Sequence, residues 1–586
     1  MSAEKLITDH IEIWTSTVKA KSASGRGSSK KRELYGIKKL RELILELAVR
    51  GKLVPQDPSD EPASVLLERI AEEKAQLVKV KEIPKTKPLP AISPDEIPDD
   101  LPAGWSMVRL GEIVTKMGSG STPRGGQKAY VDDGVIFLRS QNVWNEGVRL
   151  DDVAYISDEV HQKMSNTKVL PGDVLLNITG ASLGRTTIFP SDFVEANVNQ
   201  HVTIIRLIEL EMNKFVHLGL MSPMVQKLVW GRQVGMAIEG LSKKVLEQFE
   251  YPIPPINEQH RIVAKVDELM VLCDQLEQQT ETSLDAHQVL VETLLATLTN
   301  SQDATELMAN WACISEHFDT LFTTEQSIDQ LKQTILQLAV MGKLVPQDPK
   351  DEPAAKLLER IAEEKAQLVK EKKIKKQKAL PPIADDEKPF ELPTGWEWCR
   401  LQEVTSKITD GDHKTPPRIE SGYVLLSAKN VRDGFIDFSV TDFISEEHYL
   451  KSRERCLPEH NDLLIVSVGG TIGRSSLVPK ESDFALVRSV ALIKPMSFNS
   501  EYLKHAMDSK LLQDSIHSNK RGGAQPCLYL SEISKFPFSM PPIEEQGRIV
   551  VAINQLFEIC DQLKQSLRDS QQTQLQLTDA IVEQVA

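Results

Sequence analysis

Long apolar runs are missing from this 586-residue sequence. No stretch reaches the roughly 18 apolar residues from which a membrane-spanning helix is read. No leader with a basic start, an apolar middle and a small-residue cleavage site opens the chain. Membrane insertion and secretion are therefore not expected. Cysteine is scarce too: six residues, at positions 273, 313, 399, 456, 527 and 560, with no C-x-x-C pair. Cys273 and Cys560 fall on apolar helix stripes and read as small core hydrophobes. A reduced, cytoplasmic protein is the expectation. Positive charge is in deficit. The formal net charge of −15 argues against a wholly basic nucleic-acid coat. It leaves room for a local basic cleft, because net charge governs solubility more than any one site. Apolar residues are present in ordinary amount, 40%, enough over this length to build the cores of three or four domains.

Catalytic signatures are absent as well. No N-P-P-[FY] or D-P-P-[YW] motif for adenine methylation occurs; Pro254-Pro255 and Pro541-Pro542 lack both the preceding Asn or Asp and the following aromatic. There is no phosphate-cradling GxxxxGK[ST] loop, since Gly51-Lys52 is followed by Leu53. Gly118-Ser119-Gly120 is a lone G-x-G and reads as a turn. A nuclease-like D…E-x-K set can be forced from Asp57 with Glu72-Glu73-Lys74, and again from Asp348 with Glu363-Glu364-Lys365. Both lie in LLERIAEEKAQLV, whose Ile and Leu keep helical spacing, so a solvated helix face is the reading. The twelve histidines show no metal-ligand spacing, and neither His201 nor His413 reads as a ligand. No catalytic residue, no metal site and no bound cofactor are expected of this chain.

Repeats organise what is there. Pro254-Pro255-Ile256-Asn257-Glu258-Gln259-His260-Arg261-Ile262-Val263 returns as Pro541-Pro542-Ile543-Glu544-Glu545-Gln546-Gly547-Arg548-Ile549-Val550. Each Pro pair ends a strand and presets a first helical turn. Ile262, Val266, Leu269, Cys273 and Leu276 then follow a heptad spacing, as do Ile549, Ile553, Leu556, Cys560, Leu563 and Leu567. A second repeat runs from Leu40 to Val78 and again from Leu331 to Val369, with 31 identities in 39 positions. It reads as helix, glycine stop (Gly51, Gly342), Pro-rich turn, helix. Charged, Pro-rich linkers follow, at 79–100 and 371–391. A short helix is expected within residues 1–20 and a flexible linker at Lys21–Lys31.

Two domains fill the intervals. Both open on Leu-Pro-x-Gly-Trp (Leu101–Trp105, Leu392–Trp396) and continue to Arg109-Leu110 or Arg400-Leu401. Inside, likeness survives in patches: Thr122-Pro123 with Thr415-Pro416, RSQNV from Arg139 with SAKNV from Ser427, and Gly184-Arg185 with Gly473-Arg474. Short β-rich runs predict a small curved sheet in each, flanked by helices near 213–231 and 501–515. The expected segments are a helical region with linker (1–95), a first domain (96–255), a central helical region (256–388), a second domain (389–542) and a last helix (543–586). The fold class is α+β, with a pseudo-two-fold internal repeat and long helices between the domains. The order is nearly cyclic: the last helix followed by residues 40–78 spells the same pattern as residues 257–369. Copies kept alike suit a scaffold that docks one partner twice. Copies allowed to differ suit two readers of different things.

These motifs together resemble the specificity subunit of type I restriction-modification systems. PPINEQHRIV, its echo PPIEEQGRIV, GDVLLNITGASLGR and LAVRGKLVPQDP carry the resemblance, which covers nearly everything from about residue 35. The long LAVRGKLVPQDP elements are similar to the EcoAI-like subgroup. The resemblance implies two target-recognition domains, each reading half of a bipartite, asymmetric duplex-DNA site. It implies that the long helices form an antiparallel coiled coil that fixes the separation of the domains. It implies two modification subunits, which use S-adenosylmethionine, and two restriction subunits, which use ATP and Mg2+. It implies no catalysis by the chain itself.

Reading base edges needs Arg, Lys, Asn, Gln or Ser on loops. Holding phosphates needs Arg, Lys and backbone amides. On the first domain the candidates are Ser121, Thr122 and Arg124; Arg139, Gln141 and Asn142; Ser182 and Arg185; Gln200 and His201; and Arg232. On the second they are His413 and Lys414; Lys429 and Asn430; Thr471 and Arg474; and Lys520 and Arg521. The pairs Asn142/Asn430 and Arg185/Arg474 suit the shared frame or the phosphates; unpaired residues suit sequence readout. The run Lys372–Lys378 reads equally as a DNA contact or a solvated linker. A rival from another class is a coiled-coil adaptor carrying two protein-binding modules.

Overall fold

The computed structural model describes residues 3–20, 32–233, 240–523 and 525–585. The linker expected at Lys21–Lys31 lies outside them. The chain divides into two compact units, Met1–Ser283 with Ser570–Ala586, and Leu284–Asp569. The division passes through both long helices, Ile256–Asn300 and Ile543–Val585. On the first, Ile262, Val266, Leu269 and Cys273 are buried; on the second, Ile549, Ile553 and Cys560 are. Leu276, Leu556, Leu563 and Leu567 are half-buried. The repeated helix lies along the seam within each unit. Arg41 of Tyr35–Val49 pairs with Asp274 and Glu277, each at 2.7 Å. Lys332 of Glu325–Val340 pairs with Asp561 at 2.5 Å, and Glu325 with Arg568 at 2.9 Å.

The expected N-terminal helix is two, Ala3–Asp9 and Ile11–Ser16. Trp14 is fully buried, and its carbonyl lies so close to Gly36 that a Cβ there would sit 2.3 Å from it. Thr17 Oγ1 lies 3.1 Å from Thr578 Oγ1, and the Tyr35 hydroxyl donates to Asp579 at 2.7 Å. The start and the end of the chain therefore belong to one packed region.

Scattered sequence motifs meet at one joint in each unit. Gly51 (φ +66°) ends its helix, and a Cβ on it would lie 2.4 Å from Pro102 and 2.9 Å from Trp105. Gly342 (φ +69°) meets Pro393 and Trp396 in the same way. Trp105 Nε1 donates to Glu258 at 3.1 Å, and Gln56 Nε2 donates to the same carboxylate at 3.2 Å. Trp396 and Gln347 do so to Glu545, at 3.0 and 3.2 Å. Burial pushes both carboxyls up from the ordinary glutamate range, and the two donors only partly offset that. Arg261 pairs with Asp60 and Arg548 with Asp351, each at 2.6 Å. Gln259 and Gln546 turn back to donate to the carbonyls of Pro254 and Pro541. Three motifs distant in sequence thus fix one angle between frame and domain.

In the acidic helices the lysines turn toward the domains. Lys74 donates to the carbonyls of Gly111 and Glu112, and Lys365 to that of Gln402. Desolvation lowers Lys365 to about 8. Each lysine ties the helix Ala63–Lys79 or Ala354–Lys370 to its domain. Arg109 and Arg400, both buried, hold the linkers down: Arg109 pairs with Glu96 at 2.7 Å, Arg400 with Glu387 at 2.6 Å.

The domains contain more than the one small sheet expected. A four-stranded antiparallel sheet runs in the order Thr186–Ile188, Val174–Asn177, Val202–Leu207, Val114–Ser119. Its twin runs Ser475–Leu477, Leu463–Val466, Val490–Pro495, Thr405–Asp410. A second sheet has five strands in the first domain and three in the other, and each contains a parallel pair: Val135–Leu138 beside Ala196–Val198, and Tyr423–Leu426 beside Ala485–Leu486. A separate two-stranded ribbon joins entry to exit, Ser106–Arg109 with Glu250–Ile253 and Glu397–Arg400 with Pro537–Met540. The expected helix near 213–231 breaks in two, Asn213–Met221 and Pro223–Gly231. Pro223 forces Ser222 into an extended conformation, and the Ser222 side chain then caps Val225. The helices Ser500–Asp508 and Lys510–Asn519 break at Ser509 in the same conformation without a proline.

Candidate nucleic-acid interface

In each domain the loops at one end of the two sheets are stitched together by backbone hydrogen bonds. In the first, Gly120 N–H donates to Val202 and Ser121 N–H to Val198; Asn199 N–H donates to Leu138, and Ile178 N–H to His201. In the second, Gly411 N–H donates to Val490 and Asp412 N–H to Leu486; Val487 N–H donates to Leu426, and Ser467 N–H to Ser489. The segments 119–124, 139–142, 178–185 and 199–201 therefore form one rim, as do 411–414, 427–430, 467–474 and 487–489. The turn through Gln525–Leu528 joins the second rim: Gly469 N–H donates to Pro526 and Leu528 N–H to Ser467.

The rim of the first domain gathers most of its predicted residues. Thr122 Oγ1 bonds Gln200, and Gln200 Nε2 lies 3.2 Å from His201 Nε2. His201 Nδ1 meets Thr179 Oγ1 at 2.6 Å. Ser121 and Arg124 are exposed, and the Arg124 guanidinium has no partner among the described residues. Arg185 lies flat on Trp144 with its Cζ 3.8 Å from the ring centroid, and Ser182 stands beside it in the loop. Arg149 covers Trp144 too, at 3.7 Å. Gln141 and Arg139 both turn to Asp152.

On the second domain, Lys414 and Lys520 are exposed without a partner among the described residues. His413 Nε2 lies 3.1 Å from Asp410 Oδ2 and 2.8 Å from Arg455 Nη2. Lys429 shares Asp442 with Arg418, at 3.2 and 3.3 Å. Arg474 stands 3.7 Å from Asp433, and Thr471 accepts from Arg474 N–H. Arg521 exchanges two backbone bonds with Cys527, and its guanidinium reaches Glu532 at 3.5 Å.

Two predicted contacts are corrected. Asn142 and Asn430 are 2% and 1% exposed. Asn142 Oδ1 caps Arg139 N–H and its amide donates to Arg149 and Asp152 carbonyls; Asn430 does the same for Ser427, Asp437 and Val440. A side chain so enclosed cannot reach a base edge, so both shape the loop. Arg232 pairs with Glu250 at 2.9 Å, the carboxylate that also holds Arg109. Glu250 belongs to the entry–exit ribbon. The run Lys372–Lys378 is in an exposed linker, where Lys373 pairs with Glu371 at 2.8 Å. Sequence reasoning missed Trp144 and Arg149, which had no paired signal, and Arg488, which occupies the turn equivalent to Gln200.

Among the described residues no cluster of His, Cys, Asp or Glu could hold a metal ion, and no helix is long and apolar enough to cross a membrane. The model of the type I restriction modification DNA specificity domain matches twice, over residues 102–286 and 393–570. The chain belongs to the type I restriction-modification specificity family. It is similar to the EcoEI specificity subunit of Escherichia coli, 42% identical over 602 aligned positions that cover 100% of this chain and 99% of the relative. The Escherichia coli EcoAI specificity subunit is also 42% identical, over 600 positions and the same shares. The EcoBI specificity subunit matches less, 27% over 281 positions, or 47% of this chain and 51% of its own length. This specificity chain therefore carries two target-recognition domains, and one rim lies on each.

Proposed function

We propose that the specificity chain reads a bipartite, asymmetric duplex-DNA site and catalyses nothing itself. One observation carries the reading: matching joints and four-stranded sheets of the same order present two rims with different side chains. The first rim offers Thr122, Arg124, Gln200 and His201; the second offers His413, Lys414 and Arg488. Such groups supply the donors and charge that base edges and phosphates accept. The repeated helices, alike in both units, suit docking of two modification subunits and two restriction subunits. S-adenosylmethionine, ATP and Mg2+ are assigned to those partners.

The test is salt-dependent duplex binding by the chain assembled with its modification subunits. Each neutralised phosphate contributes a slope of roughly −0.9 in log K against log salt. A steep slope together with a preferred sequence is expected. A protein-binding adaptor would show neither. Purified chain with tritiated S-adenosylmethionine and cognate duplex should transfer no methyl group; stoichiometric labelling would contradict the non-catalytic assignment.

A further inference from the structure

The second target-recognition domain contains eight arginines: 400, 418, 432, 453, 455, 474, 488 and 521. Seven lie within 4.0 Å of a carboxylate, on Glu387, Asp442, Asp437, Asp483, Asp410, Asp433 and Glu532 in that order. Arg488 alone has none, and its exposed guanidinium makes no hydrogen bond among the described residues. Its backbone is held firmly. Arg488 N–H donates to Asp412 at 3.0 Å, and the turn closes with Val490 N–H on Val487 at 3.1 Å. Ser489 Oγ accepts from Ala428 N–H at 3.1 Å. Ser467 Oγ reaches the Arg488 carbonyl at 3.4 Å. The loops at 411–414, 427–430 and 467–474 thus meet at this turn. With the backbone anchored, only side-chain freedom is lost on binding, and the free fork breaks no ion pair.

The register of the parallel pairs fixes its counterpart. Val198 faces Leu138, and Leu486 faces Leu426. Asn199 N–H donates to Leu138 at 3.0 Å, as Val487 N–H does to Leu426 at 3.1 Å. Two residues beyond each strand end stand Gln200 and Arg488. One turn of the shared frame therefore presents glutamine in one domain and arginine in the other. Glutamine matches the paired donor and acceptor of adenine; arginine matches the two acceptors of guanine.

We propose that Arg488 is a specificity-determining residue that reads a guanine in the half-site of the second domain, through a bidentate contact to O6 and N7. This rests on the DNA-reading function proposed above. Lysine, a point charge, cannot replace the fork.

The experiment maps methylated sites genome-wide in cells carrying the complete system with wild-type chain, Arg488→Ala, Arg488→Lys or Arg488→Gln. Binding of each purified complex to the wild-type site and to unrelated duplex accompanies it. Arg488→Ala should make one guanine position of one half-site degenerate, with affinity for the wild-type site reduced on the order of ten- to a hundredfold. Arg488→Lys should not restore it, Arg488→Gln should favour adenine there, and the other half-site should not change. An unchanged motif in all three variants would overturn the inference. So would an equal loss on every sequence with the salt slope reduced by about one, because that describes a phosphate contact. A wild-type complex with no sequence preference at all would sink the underlying function and this assignment with it.

Discussion

Glu258 and Glu545 show what single residues do in this chain. Each is about 1% exposed, yet each takes two donors from motifs distant in sequence. Truncating one strands a buried indole N–H, at a cost of about 1–3 kcal/mol, while the exposed glutamine amide keeps the carbonyl of Gly51 or Gly342 as an acceptor. Glu545→Ala should therefore destabilise the full chain by about 2 kcal/mol, read as a lower midpoint in urea followed by tryptophan fluorescence. An unshifted midpoint would mean that the joint is incidental. Glu387 has the opposite shift. Its hydrogen bond with Arg400 holds it down at about 2, against an ordinary 4.5. An acid lowered on folding adds stability above its unfolded value and loses it as pH falls towards its folded value. Wild-type and Glu387→Gln chains should differ in stability at pH 6 and converge between about pH 4.5 and 2. A gap that persists at pH 2 would contradict the assignment. The pairing of Leu-Pro-x-Gly-Trp and Gln-Asp-Pro copies was legible in the sequence; that Trp105 and Gln56 share one carboxylate was not, since only folding brings them together.

At the scale of elements, the long helices were plain from their heptads, and the strands from β-branched runs bounded by glycine and proline. The kink at Ser222 could be read from Pro223. The matching kink at Ser509 has no such mark; its backbone follows the same path because the frame requires it. Loop roles were least legible. Asn199-Gln200-His201 and Val487-Arg488-Ser489 share no residue, so only strand register aligns them. Close approach explains why Gly120 and Gly411 recur. A Cβ would lie 1.9 Å from the Val198 carbonyl in one and 2.0 Å from the Leu486 carbonyl in the other. Gly411→Ala must push the 411–414 loop off the Arg488 turn. It should weaken recognition of the second half-site at least tenfold while the other half-site keeps its sequence. Equal binding by the variant would show that the two loops need not touch.

At the scale of the whole molecule, the two long helices are the parts of the chain that both units share. A heptad inserted after Leu276 and another after Leu563 keep the apolar seam in phase. They add about 10 Å of helix, or about three base pairs. The preferred spacer should lengthen by two or three base pairs in a library of spacer lengths, with both half-sites unchanged. An unaltered optimum in a well-folded variant would show that the helices do not measure the site. The central claim is that one frame holds two independent readers. Exchange of residues 105–253 for the corresponding domain of a relative, followed by genome-wide mapping of methylated sites, tests it most directly. One half-site should change to the relative's, and the other, with the spacer, should stay. A motif altered in both halves, or in neither, would contradict the account.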